Sequence, residues 1–264
     1  MINNYIRIPD PDLSIYRYFR LKYFEDGLNH KNIMLVNPCV WEDPMELVGG
    51  LLGIYITEKG KRTQKFISYP FTRIYAQCWS MTKESDTLLR AYSRVAIDPD
   101  TQRNSLSDDE GVSVRTTPRK LFNALELGIT KTFPGFCYIG SVKYLSSQEL
   151  TQTVANAFLR GTNVFDNPIN LAELALLKRD AFAHESEVRL LFISEYAIPN
   201  VKNIEIPIDP NTVYDSITFD PRLEIFQRLE HEAKVRDLGF TGTFIESDLY
   251  HRIELQVDLT DNNR

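Results

Sequence analysis

The sequence predicts an α+β fold: one domain over 1–264, with a mixed, mostly antiparallel central β-sheet flanked by helices. Three observations carry this. Short alternating or apolar runs suited to strands are interspersed with helical periodicity, without regular strand–helix–strand units. No repeat of 20 to 50 residues is present, which sets aside solenoids and propellers. And 43% hydrophobic residues over 264 positions suffice for a sizeable core.

Leu13–His30 has apolar positions Tyr16, Phe19, Tyr23, Phe24 and Leu28 at three- and four-residue steps. This suits a helix or a strand followed by a helix. Ile33–Val36 is a short apolar run closed by Asn37-Pro38, a strand ending in a turn. Asp43 and Pro44 have the chemistry of a helix N-cap and first turn. Arg73–Trp79 reads as a strand, and Ser85-Asp86-Thr87 opens a short helix through Tyr92. The acidic, turn-rich stretch 98–111 is the expected mobile loop. Gly111–Thr116 alternates as a strand, and Thr117-Pro118 starts a helix through Leu127. Cys137–Tyr144 reads as a strand, Ser147–Arg160 and Leu171–Lys178 as helices. Val188–Ile193 is almost continuously apolar and so reads as a central strand covered on both faces. Ile204–Ile208 and Ser216–Phe219 are short strands. Leu223–Leu238 is an amphipathic helix whose Leu223, Phe226, Leu229 and Val235 form a stripe.

Composition narrows the function classes. Net charge is −6, which argues against a protein that holds bulk nucleic acid by phosphate contacts alone. No apolar run approaches the length that crosses a bilayer, and the first residues show no signal-peptide pattern. Three scattered cysteines form neither a disulfide framework nor a metal knuckle. A reduced, cytoplasmic protein is expected. The four histidines are isolated, so no metal is expected, and His231 reads as a solvated residue of a charged helix. No phosphate loop, dinucleotide fingerprint or nucleophile elbow occurs.

Two clusters stand out. Lys178 to Arg189 packs cations and carboxylates before the most apolar strand. In a strand Glu185, Glu187 and Arg189 would share one face. Two such carboxylates can divide catalytic labour, or be neutralised by Lys178, Arg179 or Arg189 in a structural network. Tyr16-Arg17-Tyr18-Phe19-Arg20 places aromatics around a guanidinium, an arrangement suited to stacking and anion binding. The bland alternative sets the aromatics in the core and the arginines in water.

Several motifs together resemble the bacterial domain-of-unknown-function 2971 family over about residues 13–249. They are Cys78-Trp79-Ser80, Glu84-Ser85-Asp86, Leu88 to Ser93, Gly111 to Val114, Tyr138 to Tyr144, Lys178-Arg179 with Phe182, His184 to Arg189, Asp43-Pro44 with Glu46, and Ser247-Asp248-Leu249. The chain departs from the family pattern at Leu89, where tryptophan is usual, at Glu42, where asparagine is usual, and in the long 98–111 connection. The resemblance implies a cytoplasmic bacterial protein of phage-defence or stress systems.

The order of parts also resembles the ADP-ribosyltransferase plan: an early arginine strand, a middle strand ending in serine, and a late Glu-x-Glu. That resemblance implies NAD as the nucleotide and assigns Arg17 to its diphosphate and Ser80 to the nicotinamide ribose. Glu187 would stabilise an oxocarbenium-like ribose, and Glu185 would position the acceptor. Tyr16, Tyr92 and Arg179 join Arg17 as expected nucleotide-binding residues. The expected partners are a nucleotide or small molecule and a protein partner or acceptor, with no membrane. Two other functions fit the same residues: a non-catalytic sensor or interaction protein with an ion-pair core, and a nucleic-acid-processing protein.

Overall fold

The computed structural model describes residues 4–41, 54–58, 60–65, 69–129, 133–159, 165–198 and 200–250. The expected loop at Asp43-Pro44 and Glu46 lies outside them. In chain order the elements are β1 (Tyr5–Ile6), β2 (Ile15–Arg20), α1 (Leu21–His30), β3 (Asn32–Val36), β4 (Ile54–Glu58), β5 (Lys61–Lys65), β6 (Ile74–Ser80), α2 (Asp86–Tyr92), β7 (Gly111–Thr116), α3 (Pro118–Ile129), β8 (Gly135–Ser141), β9 (Lys143–Leu145), α4 (Ser147–Leu159), α5 (Pro168–Ala175), β10 (Leu177–Arg179), β11 (Glu187–Ser194), β12 (Asn203–Pro207), α6 (Pro210–Val213), β13 (Ser216–Phe219), α7 (Ile225–Asp237) and β14 (Thr243–Phe244).

The fold is α+β, built on a mixed, mostly antiparallel sheet ordered β1-β8-β11-β6-β2-β7-β13-β14. The pairs β1–β8 and β13–β14 are parallel. At β6 the sheet forks. One edge of β6 pairs with β11 along its whole length. The other edge meets β3 at Val36–Ala76, and β3 leads on to β12. That same edge meets β2 at Tyr16–Ser80, from which β7, β13 and β14 follow.

Alternation along the strands divides the apolar residues between the two faces. Val188, Leu190 and Phe192 of β11 pack with Tyr75 and Trp79 of β6 against Leu121, Phe122 and Leu125 of α3. Leu191 and Ile193 point the other way, onto Leu171, Ala172 and Ala175 of α5 and Leu150 and Val154 of α4. On the far branch Val112, Val114, Ile217 and Phe219 meet Leu21, Phe24 and Leu28 of α1 and Val235 of α7. Strand β11 is buried at every position, as its apolar run predicts.

Several boundaries differ from the sequence reading, for identifiable reasons. Leu13–His30 resolves into a strand and then a helix. The helix read at Leu171–Lys178 is α5, with Pro168 in its first turn and Asn167 as its cap, and it stops at Ala175 so that Leu177–Arg179 can pair with β9. Cys137–Tyr144 divides into the end of β8 and the start of β9. In the C-terminal helix stripe, Leu223 and Val235 are buried, whereas Phe226 is 38% and Leu229 59% exposed. His231 is not simply solvated: its Nε2 lies 2.7 Å from the buried Glu110 carboxylate. The 98–111 connection is organised around buried Asn104, whose Oδ1 accepts from the Ala96 and Leu106 amides and whose Nδ2 donates to Glu110. No helix among the described residues is long and apolar enough to cross a membrane.

Candidate functional site

The residues singled out between 178 and 189 meet where β6 ends and β11 begins. A 3-10 turn over Asp180–Glu185 delivers the chain to Ser186, which takes the left-handed conformation (φ 45°), and β11 starts at Glu187. Glu185 is therefore not a strand residue, and the expected face-sharing of Glu185 and Glu187 through alternation does not apply. Hydrogen bonds stitch the turn to β6: the Ser80 hydroxyl donates to the Glu185 carbonyl (2.7 Å), and the Met81 amide donates to the Ser186 carbonyl (2.9 Å). Ser80 lies directly opposite Glu187 in the ladder.

Lys178 brings the two glutamates together. Its Nζ is 2.5 Å from a Glu185 carboxylate oxygen and 3.4 Å from Glu187 Oε2. From below, the fully buried Arg189 sends Nη2 to the same Glu187 oxygen (2.9 Å) and Nη1 to the Ala175 carbonyl at the end of α5 (2.7 Å). Aromatic faces cover both cations: Arg189 Cζ is 4.8 Å from the Trp41 ring centre, and Lys178 Nζ 4.8 Å from that of Phe182. Arg179, the next residue along β10, has its Cζ 5.3 Å from the Phe182 ring.

Burial pushes the Glu187 carboxyl up, but the Arg189 and Lys178 charges and hydrogen bonds from Arg189 and the Cys78 thiol outweigh it, so the group lies below its ordinary value. Its backbone amide donates to the Tyr144 hydroxyl (2.8 Å). Burial pushes that phenol up to about 12. Glu185, with 24% of its side chain exposed, is the carboxylate that solvent reaches.

The other expected residues stand around this cluster. Tyr92, 49% exposed at the end of α2, lies within electrostatic reach of Cys78, Arg17, Glu185 and Glu187. Burial is the main reason that its phenol is raised. Arg17, half-buried on β2, is lowered by burial and interacts with Tyr214, Cys78 and Tyr92. Its Cζ lies 4.9 Å from the Phe19 ring centre. Tyr16, not Arg17, is directly opposite Ser80, so by alternation Arg17 starts from the other face of β2.

Tyr16 is also opposite Arg115 of β7, and Arg115 opposite Ser216 of β13. One straight row, Glu187–Ser80–Tyr16–Arg115–Ser216, thus crosses β11, β6, β2, β7 and β13 on one face. The sequence reading missed Arg115. Its signal was the polar alternation of Ser113 and Arg115 with apolar Val112 and Val114, but what lies across the sheet is set by register, which no single strand reveals. Cys78, opposite Arg189, was missed as a member of the ion-pair cluster for the same reason, and Trp41 because it reaches Arg189 from a turn outside the sheet.

Fold and site together define an α+β protein with a carboxylate–cation cluster at the end of its central strands, continued by a polar row across the sheet. No protein-family model matches the chain, so the resemblance to the domain 2971 family gains no support there, and no curated protein matches it in sequence. Among solved structures, the chain is similar in outline to Thermus sp. 2.9 DarT. For DarT in complex with NAD+, the TM-score is 0.37 at 9% identity, covering 91% of this chain and 97% of that one. For DarT in complex with ADP-ribosylated single-stranded DNA, the TM-score is 0.36 at 10% identity, covering 93% and 99%.

Proposed function

We propose that the chain is a nucleotide-using transferase of the ADP-ribosyl type, acting on NAD at the Glu187 cluster, in a cytoplasmic bacterial defence or stress system. One observation carries the reading. The strand bearing Arg17, the strand ending in Ser80 and the strand beginning with Glu187 are consecutive neighbours in the sheet, and Ser80 and Glu187 face each other in register.

The chemistry asked of these residues is modest. The bond between nicotinamide and ribose C1′ breaks with its electron pair leaving on nicotinamide, positive charge develops on the ribose, and an acceptor nucleophile closes on C1′. A carboxylate held ionised in a buried setting stabilises that charge. Glu185 is placed to take the acceptor's proton, and Tyr92 and Tyr16 offer rings for stacking. Arg179 supplies positive charge for a diphosphate, whereas Arg17, expected to do so, starts from the other face of β2.

The test is nicotinamide release from NAD by the full chain, alongside Glu187→Gln and Glu185→Gln. Wild type is expected to release nicotinamide and Glu187→Gln to lose turnover by about a hundredfold or more. Because Glu187 is buried between cations, Glu185→Gln serves as the variant that keeps the fold, with turnover reduced. Absence of both NAD binding and NAD cleavage in the folded wild type overturns the proposal.

A second reading has its own support. Lys178 and Arg189 both engage Oε2 of Glu187, as expected of a structural ion-pair core in a non-catalytic protein. It predicts large stability losses at Glu187 with no ligand response to NAD.

A further inference from the structure

The far end of the polar row opens into a small cleft of about 40 Å³. Its floor is the sheet, at Tyr16, Ser113, Arg115, Ser216 and Thr218, and the start of α2 and the Ile245–Leu249 segment wall it in. Arg115 stands in this floor. Its Nε is withdrawn from solvent without a hydrogen-bond partner, and no carboxylate among the described residues forms an ion pair with it. Every other cation drawn into the argument so far has a ring or a carboxylate beside it. A buried, unmatched guanidinium nitrogen is costly. Such a group calls for an acceptor that the protein chain does not supply.

We infer that Arg115 is a phosphate-binding residue and that the cleft holds the phosphate of an extended nucleotide ligand whose other end reaches the Glu187 cluster. A guanidinium binds phosphate through two parallel charge-assisted hydrogen bonds. The hydroxyls of Ser216, Thr218 and Ser247 line the same space and can donate to the remaining oxygens. Lys83 and Glu84 at the rim offset each other, which leaves Arg115 as the net charge of the cleft.

The spacing fits an extended ligand. Three strand spacings of about 4.8 Å separate Glu187 from Arg115 across the row, or about 14 Å. That is the scale of a dinucleotide laid out straight, or of two to three nucleotides of a single strand. The inference rests on the nucleotide reading for what binds at Glu187, and on the Arg115 geometry alone for the phosphate.

The experiment compares wild type, Arg115→Gln and Arg115→Lys by calorimetric titration with NAD and with a short single-stranded oligodeoxynucleotide, with orthophosphate as competitor. Lys202→Gln, at an exposed cation just before β12, controls for net charge. Arg115→Gln is expected to weaken binding of one probe by about tenfold or more, with unchanged thermal stability, since no protein partner is lost. Arg115→Lys keeps the charge but loses the fork, and is expected to fall between the two. Orthophosphate should compete in wild type and not in Arg115→Gln.

Weakened NAD binding assigns the phosphate to the dinucleotide; weakened oligonucleotide binding with NAD unaffected assigns it to a polynucleotide. Equal affinities of wild type and Arg115→Gln for both probes overturn the inference, as does failure of the folded wild type to bind either. NAD cleavage with an unchanged KM in Arg115→Gln, together with unchanged oligonucleotide affinity, sinks this inference and leaves the Glu187 reading standing. Oligonucleotide binding that depends on Arg115, in a protein that does not touch NAD, does the reverse.

Discussion

Glu187 keeps its charge inside the protein because Arg189 and Lys178 approach it from two sides and Cys78 adds a hydrogen bond. An isolated carboxylate so buried would be protonated. The folded value lies below the ordinary 4.5, so the ionised form adds native stability above the unfolded value. That contribution is lost as pH falls through the folded value. The stability gap between wild type and Glu187→Gln, measured by urea unfolding across pH, is therefore expected to narrow as pH drops from about 4.5. A gap that stays constant well below that pH would mean the charge is not its source. Near neutral pH, Glu187→Ala is expected to cost about 3 to 5 kcal/mol, because Lys178 and Arg189 are then left facing each other. The composition of this cluster was legible in the sequence, where Lys178, Glu185, Glu187 and Arg189 already stood out. Its geometry was not. The left-handed Ser186 breaks the period-two alternation between the two glutamates, and it is Lys178, from another strand, that reunites them.

At the scale of elements, α2 is held to the sheet by a buried polar knot beside the buried Leu89. Ser93 closes the helix, donates from its hydroxyl to Asp220 at the end of β13 (2.5 Å) and accepts from the Gly111 amide at the start of β7 (2.8 Å). Arg222 completes the Asp220 carboxylate with two side-chain hydrogen bonds. Gly111 has to be glycine for space, since a methyl group there would overlap the Ser93 side chain. Gly111→Ala is expected to destabilise the protein by about 1 to 3 kcal/mol, read as a lower urea midpoint with an unchanged slope. An unchanged midpoint would show that the knot yields freely. The strands themselves were legible wherever alternation or an apolar run was strong, as in Gly111–Thr116 and Val188–Ile193. Two-residue strands such as β1 and β14 carry no periodicity, and the end of α5 was set by pairing with β9 rather than by a local stop signal.

Across the whole molecule, the expected class of sheet is present, while its order and its fork come from pairings between residues far apart in sequence. The 98–111 connection belongs to this scale, because Asn104 ties it to Gln227 of α7 and Arg103 makes a two-point contact with Glu230. Native-state hydrogen exchange tests how firmly it is held. The amides of Ala96, Asn104 and Leu106, each bonded to a side chain, are expected to exchange more slowly than that of the exposed Arg103. Uniformly fast exchange would identify the loop as an opening unit. The fork has a mechanical consequence. Strand β6 meets β2 at the Tyr16–Ser80 pair, so the backbone ladders form two plates joined by a narrow strap, with Glu187 on one plate and Arg115 on the other. Small rotations at the strap alter the span between those two charges while leaving each plate's own ladder intact. A ligand held at both ends would act as a brace across the joint, and its binding energy would be spent in part on setting the angle between the plates.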